Sequence, residues 1–170
     1  MTGILRPLVA TVGTVCVLVL VGCATGYNLQ PGASREEVLS SMGRPTAVVK
    51  LPNGNERLQY SLQPAGQYAY MVDLDGNGRM VSLRQVLNAN DLGRLNTVGI
   101  GQWTRADVER EYGRPARIEH VASWKGDIMT YRWNEGPEMD RFYWVYLDPQ
   151  NVVRRAHPGI ETLREGPTRD

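Results

Sequence analysis

Few groups in this chain are equipped for chemistry. Its two histidines are His120 and His157, and neither has a carboxylate and a hydroxyl at a recognisable triad spacing. His120 falls in a strand-like run and His157 precedes Pro158, so both read as satisfied or solvated side chains. Asp73-x-Asp75-x-Asn77-Gly78 matches the first half of a calcium loop, in which alternating oxygens point inward around the ion. The last ligand of such a loop should be Glu and is Arg84, and strands flank the motif. It is read as an Asp-Gly-Asn-Gly hairpin turn. Gly99-Ile100-Gly101 begins like a dinucleotide loop, but position 104 is Thr and no parallel-sheet pattern surrounds it. H-E-x-x-H, Walker A and paired-cysteine zinc patterns do not occur. The expectation is a protein that is not an enzyme and takes no cofactor or metal.

Cys23 is the exception. Met1 to Pro7 carry one charge, Arg6, and Leu8 to Gly22 form an uncharged run of 15 residues. As a helix that run covers about 22 Å, short of the ~30 Å hydrocarbon core, which fits a signal peptide and leaves an uncleaved membrane helix as the alternative. It ends in Leu20-Val21-Gly22-Cys23, which resembles the lipobox of bacterial lipoproteins. The resemblance implies that residues 1–22 are removed and that Cys23 becomes an N-terminus carrying three acyl chains. Each buried CH₂ contributes roughly 0.8 kcal/mol, so such an anchor does not readily leave a bilayer. Ala24 stands where Asp would, a resemblance to the class sorted to the cell outer membrane, facing the periplasm. Residues 23–31 then form a lipidated tether, of which Ala24 to Pro31 span at most ~28 Å.

What remains is 170 − 22 = 148 residues, with 18 basic and 18 acidic side chains once Arg6 is gone. Formal neutrality argues against nucleic acid as a partner, because binding it needs a surplus of Lys and Arg on one face. Both cysteines lie at or before position 23, so the folded part has neither an intramolecular disulfide nor a thiolate metal site. No small-molecule substrate is evident.

The elements that must position anything else are written twice. At an offset of 70, Ser34-Arg35-Glu36-Glu37-Val38 and Gly43-Arg44-Pro45 align with Thr104-Arg105-Ala106-Asp107-Val108 and Gly113-Arg114-Pro115. Tyr60 meets Tyr131 at 71, and Val72-Asp73-Leu74-Asp75 meets Val145-Tyr146-Leu147-Asp148 at 73. Each unit opens with a helix. Ser34 and Thr104 are N-caps, Glu37 and Asp107 complete capping boxes, and Gly43 and Gly113 end the helices in a left-handed conformation. Arg44 and Arg114 read as partners of the helix C-terminal dipole. Strand-like runs follow at 46–51, 56–62, 68–74 and 79–87, and again at 116–124, 127–133, 141–147 and 152–156. A short helix over Asp91 to Val98 stands between them. The expected fold is α+β, with two tandem units of a helix and a four-stranded antiparallel sheet, each two-layered. The units are placed at 32–88 and 89–160, with a flexible tail at 161–170.

Helix, glycine, proline and an antiparallel sheet, twice over behind a lipobox, resemble the SmpA/OmlA family, small lipoprotein subunits of the outer-membrane β-barrel assembly machinery. The tandem arrangement over residues 29–157 also resembles the β-lactamase-inhibitor-protein fold. The first resemblance implies a membrane-anchored binding or scaffold protein, an accessory factor in outer-membrane protein assembly or envelope integrity. The second implies, as an alternative, an inhibitor-like protein that binds a periplasmic hydrolase through its sheet face.

The aromatic residues supply a candidate binding face. Of 13 Phe, Trp and Tyr residues, nine lie at or beyond position 103, including all four Trp. Period-2 alternation in 141–147 places Tyr143, Val145 and Leu147 toward the helix and Phe142, Trp144 and Tyr146 on the opposite face, with Thr130 and Arg132 of the neighbouring strand. Large aromatics beside a planar cation are enriched at protein interfaces. Two readings stand: a partner site formed by Arg132, Phe142, Trp144 and Tyr146, or a surface covered by the other unit or by the C-terminal segment.

Overall fold

The computed structural model describes residues 28–136 and 139–160. The expected signal segment at 1–22, Cys23 and the expected tail at 161–170 lie outside the described residues. The first unit holds α1 (Arg35–Met42), β1 (Ala47–Lys50), β2 (Glu56–Ser61), β3 (Ala69–Leu74) and β4 (Met80–Gln85). A connecting helix, α2 (Ala89–Arg94), runs into a π-helical turn at Leu95–Gly99. The second unit holds α3 (Arg105–Tyr112), β5 (Arg117–His120), β6 (Asp127–Asn134), β7 (Asp140–Leu147) and β8 (Val153–Ile160). The strands form two four-stranded antiparallel sheets in the simple orders β1-β2-β3-β4 and β5-β6-β7-β8. The fold is therefore α+β, in keeping with two tandem units. Among the described residues no helix is long and apolar enough to cross a membrane.

The repeated residues make repeated contacts. Ser34 Oγ accepts from the Glu37 N–H and Glu37 accepts from the Ser34 N–H; Thr104 and Asp107 do the same, so both capping boxes form. The Tyr60 hydroxyl donates to the Gly43 carbonyl at 3.2 Å, and Tyr131 donates to Gly113 at 2.8 Å, which ties each helix end to the second strand of its sheet. Asp75 Oδ1 accepts from the N–H groups of Asn77 and Arg79, and Asp148 Oδ1 from those of Gln150 and Val152. Asp75 thus closes a hairpin turn, while Asp73 is held by Arg57 at 2.6 and 2.9 Å. Gly43 and Gly113 have φ of 76° and 79°, but ψ of −159° and −172°. Both are extended in ψ and not in the left-handed helical well expected from the sequence. This region is essentially closed to residues with a Cβ.

Most strand ends shift by one or two residues from the sequence reading, and three boundaries differ for a visible reason. β5 stops at His120, not 124, because the chain turns over residues 122–126, where Trp124 Nε1 donates to the Leu147 carbonyl at 2.6 Å. β8 runs on to Ile160 through Pro158, which an edge strand accommodates because that side of the ladder lacks a partner strand. The connecting helix begins at Ala89, where the Asn88 side chain caps it by accepting from Asp91 N–H.

Two cores result. Val38, Leu58, Tyr60, Val72, Leu74 and Met80 pack between α1 and one face of the first sheet, with Leu29 and Ala33 against them. The second core fills the space between the helices and the second sheet, around Val108, Tyr112, Met129, Tyr131, Val145 and Leu147. It also takes in Ala69 and Met71 from the other face of the first sheet, and Val86, Leu87, Leu92 and Leu95 from the connector. The first sheet is thus covered on both faces, by α1 on one and by the helices of the second half on the other.

Candidate partner-binding face

The register of the second sheet decides which side chains share a face. Thr130 pairs with Trp144, Arg132 with Phe142 and Ile128 with Tyr146. On the β5 side Arg117 pairs with Thr130, and on the β8 side His157 pairs with Trp144 and Arg155 with Tyr146. Residues opposite one another in an antiparallel ladder project to the same face. Tyr143, Val145 and Leu147, the alternate set, are 4%, 0% and 0% exposed in the core. Phe142, Trp144, Tyr146 and Arg132 therefore lie on one face, half-buried, as the alternation predicts.

The rings on that face touch. Phe142 and Trp144 centroids are 6.0 Å apart, Trp144 and His157 5.3 Å, and Tyr146 and His157 stack at 5.5 Å. Trp124 meets Tyr146 edge-on at 5.2 Å, and Trp144 lies over Gly159, where a Cβ would come within 1.9 Å of the indole. Arg117 lies over the Phe142 ring and Arg155 over Tyr146, at 5.2 and 5.1 Å. The face is a rigid aromatic ladder edged by guanidinium groups.

Sequence reasoning missed Arg117 and Arg155 at the margins and three members of the ladder itself. His157 and Gly159 enter because β8 continues past the proline, and Trp124 enters from a loop. His157 Nδ1–H donates to the Pro158 carbonyl at 3.0 Å, while its Nε2 is buried without a hydrogen-bond partner among the described residues. His120 lies apart, with its side chain 71% exposed and 3.5 Å from Asp127, itself bonded by Arg105. No group of three or more His, Cys, Asp or Glu side chains able to hold a metal ion occurs among the described residues.

The two halves meet through polar side chains of β2 and the loop after it. Arg57, 5% exposed, binds Asp73, lies 3.4 Å from Glu111 and donates to the Arg110 carbonyl at 3.0 Å. Hydrogen bonding to Asp73 outweighs burial and holds the Arg57 guanidinium even more firmly charged than usual. Gln59 Nε2 donates to the carbonyls of Glu109 and Arg110, at the end of α3. The Gln63 amide brackets Arg132: Nε2 donates to its carbonyl at 2.7 Å and Oε1 accepts from its N–H at 3.0 Å. In the first unit the equivalent N–H, of Ser61, is satisfied by Thr46 Oγ1, but position 116 is Ala and offers no hydroxyl. The Arg132 side chain donates to the carbonyls of Pro64 and Ala65, so this loop of the first unit rims the aromatic face. Inter-unit packing therefore engages one edge of the face; Thr130 and Ile128 lie buried on it, and Phe142, Trp144 and Tyr146 stay partly exposed among the described residues.

Comparison with family models, curated proteins and solved structures gives no match.

Proposed function

We propose that this chain is a non-enzymatic lipoprotein held to the outer membrane through Cys23, and that the aromatic face of its second sheet binds a protein partner in the cell envelope. The SmpA/OmlA-like pattern and the tandem organisation, which resembles the β-lactamase-inhibitor-protein fold, support an accessory role in outer-membrane protein assembly or envelope integrity. One observation carries the reading. The two sheets are built alike, yet the first has both faces packed by other elements and the second keeps one face partly exposed, where its large rings gather. Partly exposed Trp and Tyr rings beside Arg are the residue types enriched at binding hot spots.

The test is site-specific crosslinking in intact membranes. A photoreactive side chain at Glu119, on the open face, should capture one set of envelope proteins that the same group at Glu36, on exposed α1 surface, does not. Barrel-assembly subunits among them support the assembly role, and a single soluble hydrolase would replace it with the inhibitor reading. Identical products from both positions refute the face as a binding site. Trp144→Ala should cost only about 1–2 kcal/mol of stability, because its contacts are ring pairs and the Gly159 backbone. A loss of 3–5 kcal/mol, typical of a fully buried aromatic, would mean that the ring is core.

A further inference from the structure

Between the N-terminal segment and the aromatic face the layers of the fold come in one order. Leu29 and Ala33 pack with α1 on the face of the first sheet that carries Leu58, Tyr60, Val72 and Leu74. The opposite face of that sheet meets α3. There Arg57 and Gln59 donate to the carbonyls of Glu109 and Arg110, and a Cβ at Gly113 would lie 3.5 Å from Met71 and Ser61. Val108 and Tyr112 of the same helix share a core with Met129, Tyr131 and Val145 of the second sheet. Phe142, Trp144 and Tyr146 project from the far side of that sheet, because they alternate with the core residues Tyr143, Val145 and Leu147. The order is therefore α1 with the N-terminal segment, first sheet, α3, second sheet, aromatic face. Three steps separate α1 from the second sheet, and each is about 10 Å, close to the width of a helix with its side chains.

That order limits what can touch the face. The N-terminal segment is fixed in the first layer: the Gly32 N–H donates to the Met80 carbonyl, the Met80 N–H to the Ala33 carbonyl, and Arg79 Nη1 to the Gly32 carbonyl. Cys23 to Asn28 spans at most about 18 Å. For the rings to lie flat on a bilayer that holds Cys23, Asn28 would have to stand about 30 Å above it, beyond the reach of that tether. With the α1 layer toward the lipid the tether reaches with slack, and the rings look into water on the far side of the molecule.

We infer that the first unit is a spacer. It turns α1 and the N-terminal segment toward the membrane and holds the aromatic face outward, about 30 Å away, so that the face takes a protein surface in the aqueous space and not the bilayer that carries Cys23. This rests on the proposed lipid anchor and on the proposed binding role of the same face.

The experiment uses the full lipidated chain on phosphatidylcholine vesicles that carry energy-transfer acceptors on their headgroups. A donor fluorophore is attached to Ser41→Cys, exposed in the first layer, or to Arg155→Cys, exposed beside Tyr146 on the face. An acylated Cys23 has no free thiol, so each variant takes one label. Transfer should place the Arg155 label about 30 Å farther from the lipid than the Ser41 label. A difference below about 20 Å, or an Arg155 label nearer the lipid, overturns the inference. Ten Gly and Ser residues inserted after Ala24 lengthen the tether by up to about 36 Å and should shrink the difference. A difference unchanged by that insertion also overturns it, because the short tether would then not set the orientation. If mass spectrometry finds Cys23 unacylated, the anchor reading fails and takes the spacer with it. The expected distances together with identical crosslinks from Glu119 and Glu36 would uphold the spacer and remove the binding role alone.

Discussion

Replacing Arg57 by Met should be among the most damaging single changes in the described fold. The guanidinium is 5% exposed and serves three neighbours: both oxygens of Asp73, Glu111 Oε1 and the Arg110 carbonyl. Met fills much of the same volume, so the cost is electrostatic. Breaking a buried ion pair by removing one partner typically costs about 3–5 kcal/mol, because the other charge stays behind. Here Asp73 and Glu111 keep 17% and 16% side-chain exposure, and Glu111 retains Arg94 and Arg110 at 3.4 and 3.8 Å. Water and those cations relieve part of the penalty, which places the expected loss near 3 kcal/mol. Urea unfolding followed by circular dichroism reads it as a lower midpoint at unchanged slope. The control is Arg35→Met, which breaks the 3.0 Å pair with Glu56 at 39% and 27% side-chain exposure. An exposed pair of that kind is worth about 0–1 kcal/mol. A double change, Arg57→Met with Asp73→Leu, should recover most of the Arg57 loss, since the stranded carboxylate is then gone. If Arg57→Met costs less than about 1 kcal/mol, or no more than Arg35→Met, the charge is not buried between the units as described.

Gly43→Ala and Gly113→Ala should each lose about 1–3 kcal/mol in thermal melts, from backbone strain at φ of 76° and 79°. The two losses should be similar, because a Cβ at Gly113 makes only ordinary van der Waals contact with Met71 and Ser61 at 3.5 Å and one at Gly43 meets nothing. Burial alone would raise the Asp107 carboxyl, but the Thr104 N–H and hydroxyl and the Arg110 guanidinium outweigh it and hold the group below its usual range. Its contribution is therefore present above the unfolded value of about 3.9 and is lost as pH falls through the lower folded value. Asp107→Asn should flatten the acid limb of a stability–pH curve below pH ~4, and an unchanged limb would contradict the capping geometry. Mass spectrometry of the membrane-extracted protein should find an acylated N-terminus at Cys23, with Cys23→Ser accumulating as precursor; a mature form beginning at Met1 would end that reading.

Local chemistry made much of this fold legible. Ser34, Glu37, Thr104 and Asp107 announce the helix starts, because capping boxes are formed by side chains three residues apart. The alternation of β7 announces its two faces, because side-chain direction in a strand depends only on parity. What the sequence hid is non-local. Arg57 and Gln59 alternate with Leu58 and Tyr60, a pattern indistinguishable from that of a sheet with one face in water. Here the polar side chains meet a helix end some 50 residues on, at Glu109 and Arg110. Likewise Pro158 argues for the end of a strand unless that strand is already known to lie at an edge. The missed members of the aromatic face, His157 and Trp124, follow from those two blind spots and from a loop whose course no periodicity records.

The exchange at the junction also has a direction in time. The Arg132 side chain answers the Pro64 and Ala65 carbonyls of the first unit, but most backbone groups answered across the junction belong to the second: the carbonyls of Glu109 and Arg110 and both groups of Arg132. The side chains that satisfy them, Arg57, Gln59 and Gln63, belong to the first. Chains emerge N-terminus first, and domains fold in that order. Arg57, Gln59 and Gln63 can wait in water at little cost, since water answers every donor they carry. The later half finds its missing hydrogen-bond partners already in place, so the earlier half acts as the template on which it closes.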